Sequence, residues 1–275
     1  MKPDDFTLFA RVLKERSGLA LGAEKSYLLE SRLLPVARKH GLATVADLAA
    51  TLRSRPEAPL VRDIVEAMTT NESFFFRDTK PFEQFRTIVL PQLLKARAAT
   101  RTLRIWSAAC AAGQEPYSLA MLLADEVRLA GWHVDLVASD LSTEMIERAR
   151  TAVYTQFEVQ RGLPIKYLVR HFEPDGDRWH LKPAIRDMVQ FRTANLLEDV
   201  AGLGRFDVIW CRNVLIYFEQ VTKTAVLDRL ARLLPPDGFL FLGGAETTLG
   251  VSNSFEPLAD QRGLYRLAMA TAVRG

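Results

Sequence analysis

The chain has 275 residues, enough to bury a sizeable core in one or two domains, and its 36 basic and 33 acidic residues are interspersed, leaving a formal charge of +3. No tail or charge block calls for nucleic acid or a membrane surface, and the apolar runs fall well short of the roughly 20 residues that span a bilayer. The first residues do not read as a signal peptide, and Cys110 and Cys211 sit in apolar segments that suit a reducing compartment, so a cytoplasmic protein without membrane insertion is expected.

Apolar spacing predicts helices through the first part of the chain: Phe6, Phe9 and Leu13 share one face, and Leu60, Ile64, Val65 and Met68 share another. Between them lies a helical segment over about 24–40, stopped by Gly41, in which Pro35 predicts a kink or break. Thr44 with Asp47 three residues on is a capping-box start for a helix through Leu52. These elements predict a small all-α domain over residues 1–78. A further helix begins near Pro81 with Phe82, Phe85 and Val89 on one side, and residues 95–102 read as a polar linker.

From Leu103 the pattern changes to short apolar runs alternating with helical spacing. Runs at 103–106, 134–138, 188–193, 206–211 and 239–242 read as strands, and 117–129, 143–150 and 221–234 as helices, which predicts a doubly wound, mostly parallel α/β sheet. Two last runs, around Phe255 and Leu264, have no helix between them and complete seven strands as an antiparallel hairpin. Residues 154–183 are too long for a simple connection, and the segment from Phe172 to Leu181 reads as a hairpin about Asp175-Gly176, so a small inserted β-subdomain over about 154–186 is expected within a domain of residues 79–275.

The turn after the first strand, residues 107–113, is a run of small side chains that lets a ligand approach the backbone; close strand-to-helix packing is the plainer reading. A dinucleotide-binding turn would show three spaced glycines to seat a pyrophosphate. This one has only Gly113 and offers an acid, Glu115, at the helix start, which favours the cationic S-adenosylmethionine over NAD. Asp140 follows the second strand, where a carboxylate can accept both ribose hydroxyls or cap the next helix. Asn195 and Leu196 follow the third strand and can offer an amide and an apolar contact to an adenine, or form an ordinary turn. Arg212, Asn213 and Tyr217 crowd the carboxyl edge of the fourth strand, where chemistry is expected, although Tyr217 can equally be an anchored core ring. The segment from Met68 to Asp78 carries three consecutive phenylalanines that cannot all face one core; they are expected to pack between domains while Asn71, Ser73 and Arg77 point at a shared cleft.

Together, Thr70-Asn71-Glu72-Ser73-Phe74-Phe75-Phe76-Arg77, the stretch from Trp106 to Ser118, Ser139-Asp140-Leu141, the stretch from Phe157 to Pro164 and that from Phe206 to Phe218 resemble the chemotaxis receptor glutamate methyltransferases, the CheR-type family, over nearly the whole chain. The resemblance implies a seven-stranded methyltransferase sheet and transfer of a methyl group from S-adenosylmethionine to receptor glutamates, leaving S-adenosylhomocysteine, with no metal. It implies cofactor contacts from Asn71, Ser73, Arg77, Glu115, Asp140, Asn195, Leu196, Arg212 and Asn213, with Arg77 and Tyr217 nearest the transferred methyl. Ser73 stands where the family usually has threonine and keeps the hydroxyl. Lys25, Arg32, Arg38 and Lys39 lie on one helical segment that the resemblance sets against the cytoplasmic helices of the receptor, Arg32 and Arg38 above all; a solvated helix face is the plainer reading. The inserted hairpin resembles a small β-subdomain that in some members tethers a receptor's C-terminal peptide. A methyltransferase for another substrate and a cofactor-binding regulatory module are the competing functions.

Overall fold

The structure, a computed structural model, describes residues 1–268. Among them no helix is long and apolar enough to cross a membrane. The described residues divide into two compact units, Met1–Thr70 with Tyr217–Thr222, and Asn71–Ile216 with residues 223–268.

The first unit is all-α: α1 Pro3–Ser17, α2 Ser26–Lys39, α3 Val45–Ser54 and α4 Ala58–Met68. Each begins or ends where the sequence satisfies the free backbone groups of a helix terminus. Gly18 closes α1 in the left-handed conformation (φ 76°) and donates to the Lys14 carbonyl, while the Thr44–Asp47 capping box opens α3. α2 runs through Pro35 without a break, so of the two outcomes expected there, kink or break, the break does not occur. Its inward face, Leu29, Leu33, Val36 and Ala37, is buried on both sides of the proline, and this packing keeps the helix continuous despite one missing N–H. Residues after the fourth central strand join this unit: Leu19 bridges to Phe218, Ala20 N–H donates to the Tyr217 carbonyl, and Lys14 pairs with Glu219.

The second unit is built on a seven-stranded sheet. Its strands are β1 Thr102–Ala108, β2 His133–Asp140, β6 Val189–Thr193, β7 Val208–Cys211, β8 Phe239–Leu242, β9 Phe255–Pro257 and β10 Leu264–Leu267, in the order β6-β2-β1-β7-β8-β10-β9. All pairings are parallel except those of β10, which runs antiparallel to both β8 and β9. Helices connect the parallel strands: α7 Gln114–Ala124, α8 Thr143–Thr151 and α12 Gln220–Arg232. Ahead of the sheet, α5 Lys80–Gln84 and α6 Leu90–Ala96 flank one π-helical turn, Phe85–Val89. The insertion after α8 holds a separate three-stranded sheet, β3 Val153–Thr155, β5 Arg178–Leu181 and β4 Phe172–Asp175, with α9 Gln156–Gln160, α10 Ile165–His171 and α11 Pro183–Arg186.

Aromatic rings fill the core. Trp210 of β7 stacks on Phe241 of β8 at 4.2 Å and meets Phe82 and Phe85 from the helix before the sheet. The helical unit ends at Thr70, short of the boundary expected at 78, because two of the three consecutive phenylalanines belong to this second core. Phe75 meets Tyr154 edge-on at 4.9 Å and Phe172 at 5.7 Å, and Phe76 stacks on Tyr167. Only Phe74 stays partly exposed, flanked by the guanidinium groups of Arg77 and Arg161.

Candidate cofactor site

The strand order reverses beside β1, whose neighbours are β2 and β7, and a crevice forms at the carboxyl ends of strands where such a reversal occurs. The small-residue turn leaves β1 at that point. Ala109 (φ 57°), Ala111 (φ 48°) and Gly113 (φ 90°) all adopt left-handed backbone, which winds the chain tightly into α7. A Cβ on Gly113 would lie 3.0 Å from the Ala149 Cβ and 3.1 Å from the Tyr117 ring, so glycine is required there by both conformation and space. The turn is braced from outside: Tyr154 from the insertion donates to the Ala112 carbonyl at 2.8 Å, and Tyr117 donates to the Ala149 carbonyl at 2.8 Å. Burial pushes both phenols up, so they remain donors. Neither tyrosine stood out in the sequence, because a buried phenol that holds a loop looks like any core ring until its partner is known.

Asp140, at the end of β2, is buried and joins two loops, accepting from Ala111 N–H at 2.8 Å and from Ser142 N–H at 2.9 Å. The alternative role as helix cap falls instead to Ser142, whose hydroxyl accepts from Met145 N–H. Glu115 does not stand as a lone negative charge. Its carboxylate accepts from the Ser107 hydroxyl at 2.8 Å and from Arg212 Nη1 at 2.9 Å. Arg212, with a side chain only 1% exposed, also donates through Nη2 to Asp78 at 2.7 Å and to the Arg77 carbonyl at 2.9 Å. Two carboxylates against one guanidinium leave a negative excess, so any preference for a cation belongs to the cluster and not to Glu115 alone.

Arg212 thereby brings together three segments that the sequence keeps apart: the end of β7, the start of α7 and residues 77–78. Arg77 itself donates through Nη1 to the Glu72 carbonyl at 2.8 Å, and Asn71 and Ser73 lie partly exposed on the same stretch. Asn195, after β6, turns its Oδ1 to Leu197 N–H at 3.0 Å, and Leu196 beside it is buried. Three buried polar atoms lack a protein partner around this cluster: Gln114 Oε1, Arg212 Nε and Asn213 Oδ1. Orphaned donors and acceptors on residues next to Glu115 and at Arg212 fit a polar ligand that completes them.

The residues expected to meet a receptor differ from one another. Arg32 donates through Nη1 to the carbonyls of Met68 and Thr69, both at 3.1 Å, closing the last turn of α4, whereas Arg38 is exposed. Tyr217, in the helical unit, is partly exposed and so is not a fully buried core ring.

A family model described as the CheR methyltransferase SAM binding domain matches residues 71–264, and one described as the CheR methyltransferase all-alpha domain matches residues 4–69. The chain belongs to the CheR methyltransferase family. Among similar members, "Chemotaxis protein methyltransferase 1" of Pseudomonas aeruginosa is 42% identical over 269 residues, covering 95% of this chain and 97% of that one. "Chemotaxis protein methyltransferase Cher2" of Pseudomonas putida is 40% identical over 258 residues, covering 92% and 93%. The Escherichia coli "Chemotaxis protein methyltransferase" is 33% identical, covering 88% and 83%. In this CheR-family chain the Glu115–Arg212–Asp78 cluster therefore lies within the SAM-binding domain.

Proposed function

We propose that this CheR-family protein methylates glutamate side-chain carboxylates of chemotaxis receptors in the cytoplasm, using S-adenosylmethionine and giving glutamate methyl esters and S-adenosylhomocysteine, without a metal. The observation that carries this reading is the buried Arg212, which ties the post-β1 turn, the end of β7 and the segment bearing Arg77 into one polar cluster with orphaned partners. On this reading Asp140 holds the ribose, Asn195 and Leu196 receive the adenine, and Asn71, Ser73, Arg77, Glu115, Arg212 and Asn213 complete the cofactor contacts. The proposed functional division is a helical domain over 1–78 and a transferase domain over 79–275 that carries the subdomain at about 154–186, the compact helical unit itself ending at Thr70.

S-adenosylmethionine supplies an electrophilic methyl group on a sulfonium. A glutamate with an ordinary pKa of ~4.3 is already a carboxylate at neutral pH and needs no general base. The protein's task is alignment and desolvation: Arg77, and Tyr217 by the resemblance, would orient the incoming carboxylate towards that methyl group and keep water away. Arg38 on α2, and Arg32 if it leaves α4, are the proposed receptor contacts. The helical cytoplasmic region of the receptor is the partner.

Incubation of the protein with methyl-labelled S-adenosylmethionine and a receptor cytoplasmic fragment tests the reading. Label that is released by mild base, and is lost when the fragment's glutamates are replaced by alanine, supports carboxyl methylation. Base-stable label overturns the ester chemistry, and no label alongside normal cofactor binding leaves the regulatory reading in its place.

A further inference from the structure

Glu246, in the segment after β8, carries a carboxylate that no sequence motif singles out. It is buried, and four main-chain N–H groups converge on it. Oε2 accepts from Asn213 at 2.8 Å and Gly243 at 2.6 Å, and Oε1 accepts from Val214 at 2.9 Å and Ile216 at 3.3 Å. One side chain thus joins the loop leaving β7 to the loop leaving its parallel neighbour β8. Four donors match the roughly four lone-pair sites of an ionised carboxylate, which accepts only.

Two of those donors belong to the peptide groups on either side of the Asn213 α-carbon. Asn213 is left-handed, with φ 59°, a conformation that only a few residue types visit and that persists where surrounding contacts enforce it. Its side chain is seated as well: a Cβ on Gly243 would fall 2.7 Å from Asn213 Nδ2 and 2.8 Å from Glu246 Oε2. With the backbone clamped and Nδ2 packed over Gly243, Asn213 Oδ1 is left buried without a protein partner.

We infer that Glu246 is a positioning residue for the cofactor: by bracketing the two peptide groups around Asn213 it holds that residue left-handed, with Oδ1 free to accept from an N–H or O–H of S-adenosylmethionine. The inference rests on the reading of Asn213 as a cofactor contact. Glu246→Gln keeps the shape but replaces one oxygen with an NH2 that must face two backbone donors, so the loop moves although the volume does not.

The test is a double-mutant cycle on the full-length protein, with S-adenosylhomocysteine as the calorimetric probe and thermal unfolding measured in parallel. Glu246→Gln and Asn213→Ala are each expected to weaken binding about tenfold, and the double variant no more than either alone, because both act through one side chain. A simple loss of packing would instead lower the melting temperature and add to the Asn213→Ala effect. If Glu246→Gln does not fold, Gly243→Ala perturbs the same seat from the other side and is expected to weaken binding and to be equally non-additive with Asn213→Ala. Normal binding by Glu246→Gln, or additive losses in the cycle, overturns the positioning role. Normal binding by Asn213→Ala removes the cofactor role of Asn213 and the inference with it, and leaves methyl transfer to receptors to its own assay.

Discussion

Removing Arg212 probes the largest electrostatic commitment in the site. Its guanidinium is 1% exposed and makes three charge-assisted bonds, to Glu115, Asp78 and the Arg77 carbonyl. Asp78, with a side chain 49% exposed, can turn to water when the guanidinium is gone, but Glu115, at 11%, cannot. Arg212→Ala is therefore expected to destabilise the protein by about 3–5 kcal/mol, most of it from the stranded Glu115 charge. Arg212→Lys keeps the charge but loses the fork geometry and should cost roughly 1–2 kcal/mol. Neutralising the stranded acid in Arg212→Ala/Glu115→Gln should recover about 2 kcal/mol relative to Arg212→Ala alone. Urea unfolding, extrapolated to water, measures all three. A loss below about 1 kcal/mol for Arg212→Ala, or a double variant no more stable than the single one, would refute the reasoning, since either result means Glu115 is not a buried charge held by Arg212.

Gly113→Ala, forced to keep φ 90° with a Cβ 3.0 Å from that of Ala149, should lose about 2 kcal/mol or more and weaken S-adenosylhomocysteine binding, read by unfolding and calorimetry. Phe75→Ala should cost about 3–5 kcal/mol because the ring is fully buried against Tyr154 and Phe172, whereas Phe74→Ala should cost about 1 kcal/mol or less; equal losses in urea unfolding would contradict the assignment of Phe75 to the core. Asp237 is held below its ordinary carboxylate pKa by hydrogen bonds from Arg97, so the pair contributes above pH 3.8 and its contribution is lost as pH falls through the lower folded-state value. Asp237→Asn should accordingly be about 0.5–1 kcal/mol less stable than the natural protein at pH 7, a small figure because the pair is half exposed, and the gap should close in unfolding curves taken in strong acid.

Local chemistry in the sequence was sufficient wherever a rule of short range decides the outcome. The Thr44–Asp47 cap, the alternation of apolar runs and helical spacing after Leu103, the hairpin about Asp175-Gly176 and the antiparallel pair that ends the sheet are legible because each depends on residues a few positions apart. Motif resemblance added the family and a set of site residues, among which Glu115 meets Arg212 directly and Asp140 holds the Ala111 N–H of the turn after β1. What each residue does there required tertiary structure. Pro35 does not break α2 because packing on both sides of it outweighs one lost hydrogen bond, and Arg32 caps α4 from 36 residues away. Phe75 and Phe76 fall on the transferase side of the chain because their ring partners, Tyr154, Phe172 and Tyr167, come from an insertion far along the sequence. Glu246 could not be picked out at all: its four partners are main-chain N–H groups, which carry no residue identity, and only the pairing of β7 with β8 brings them to one carboxylate.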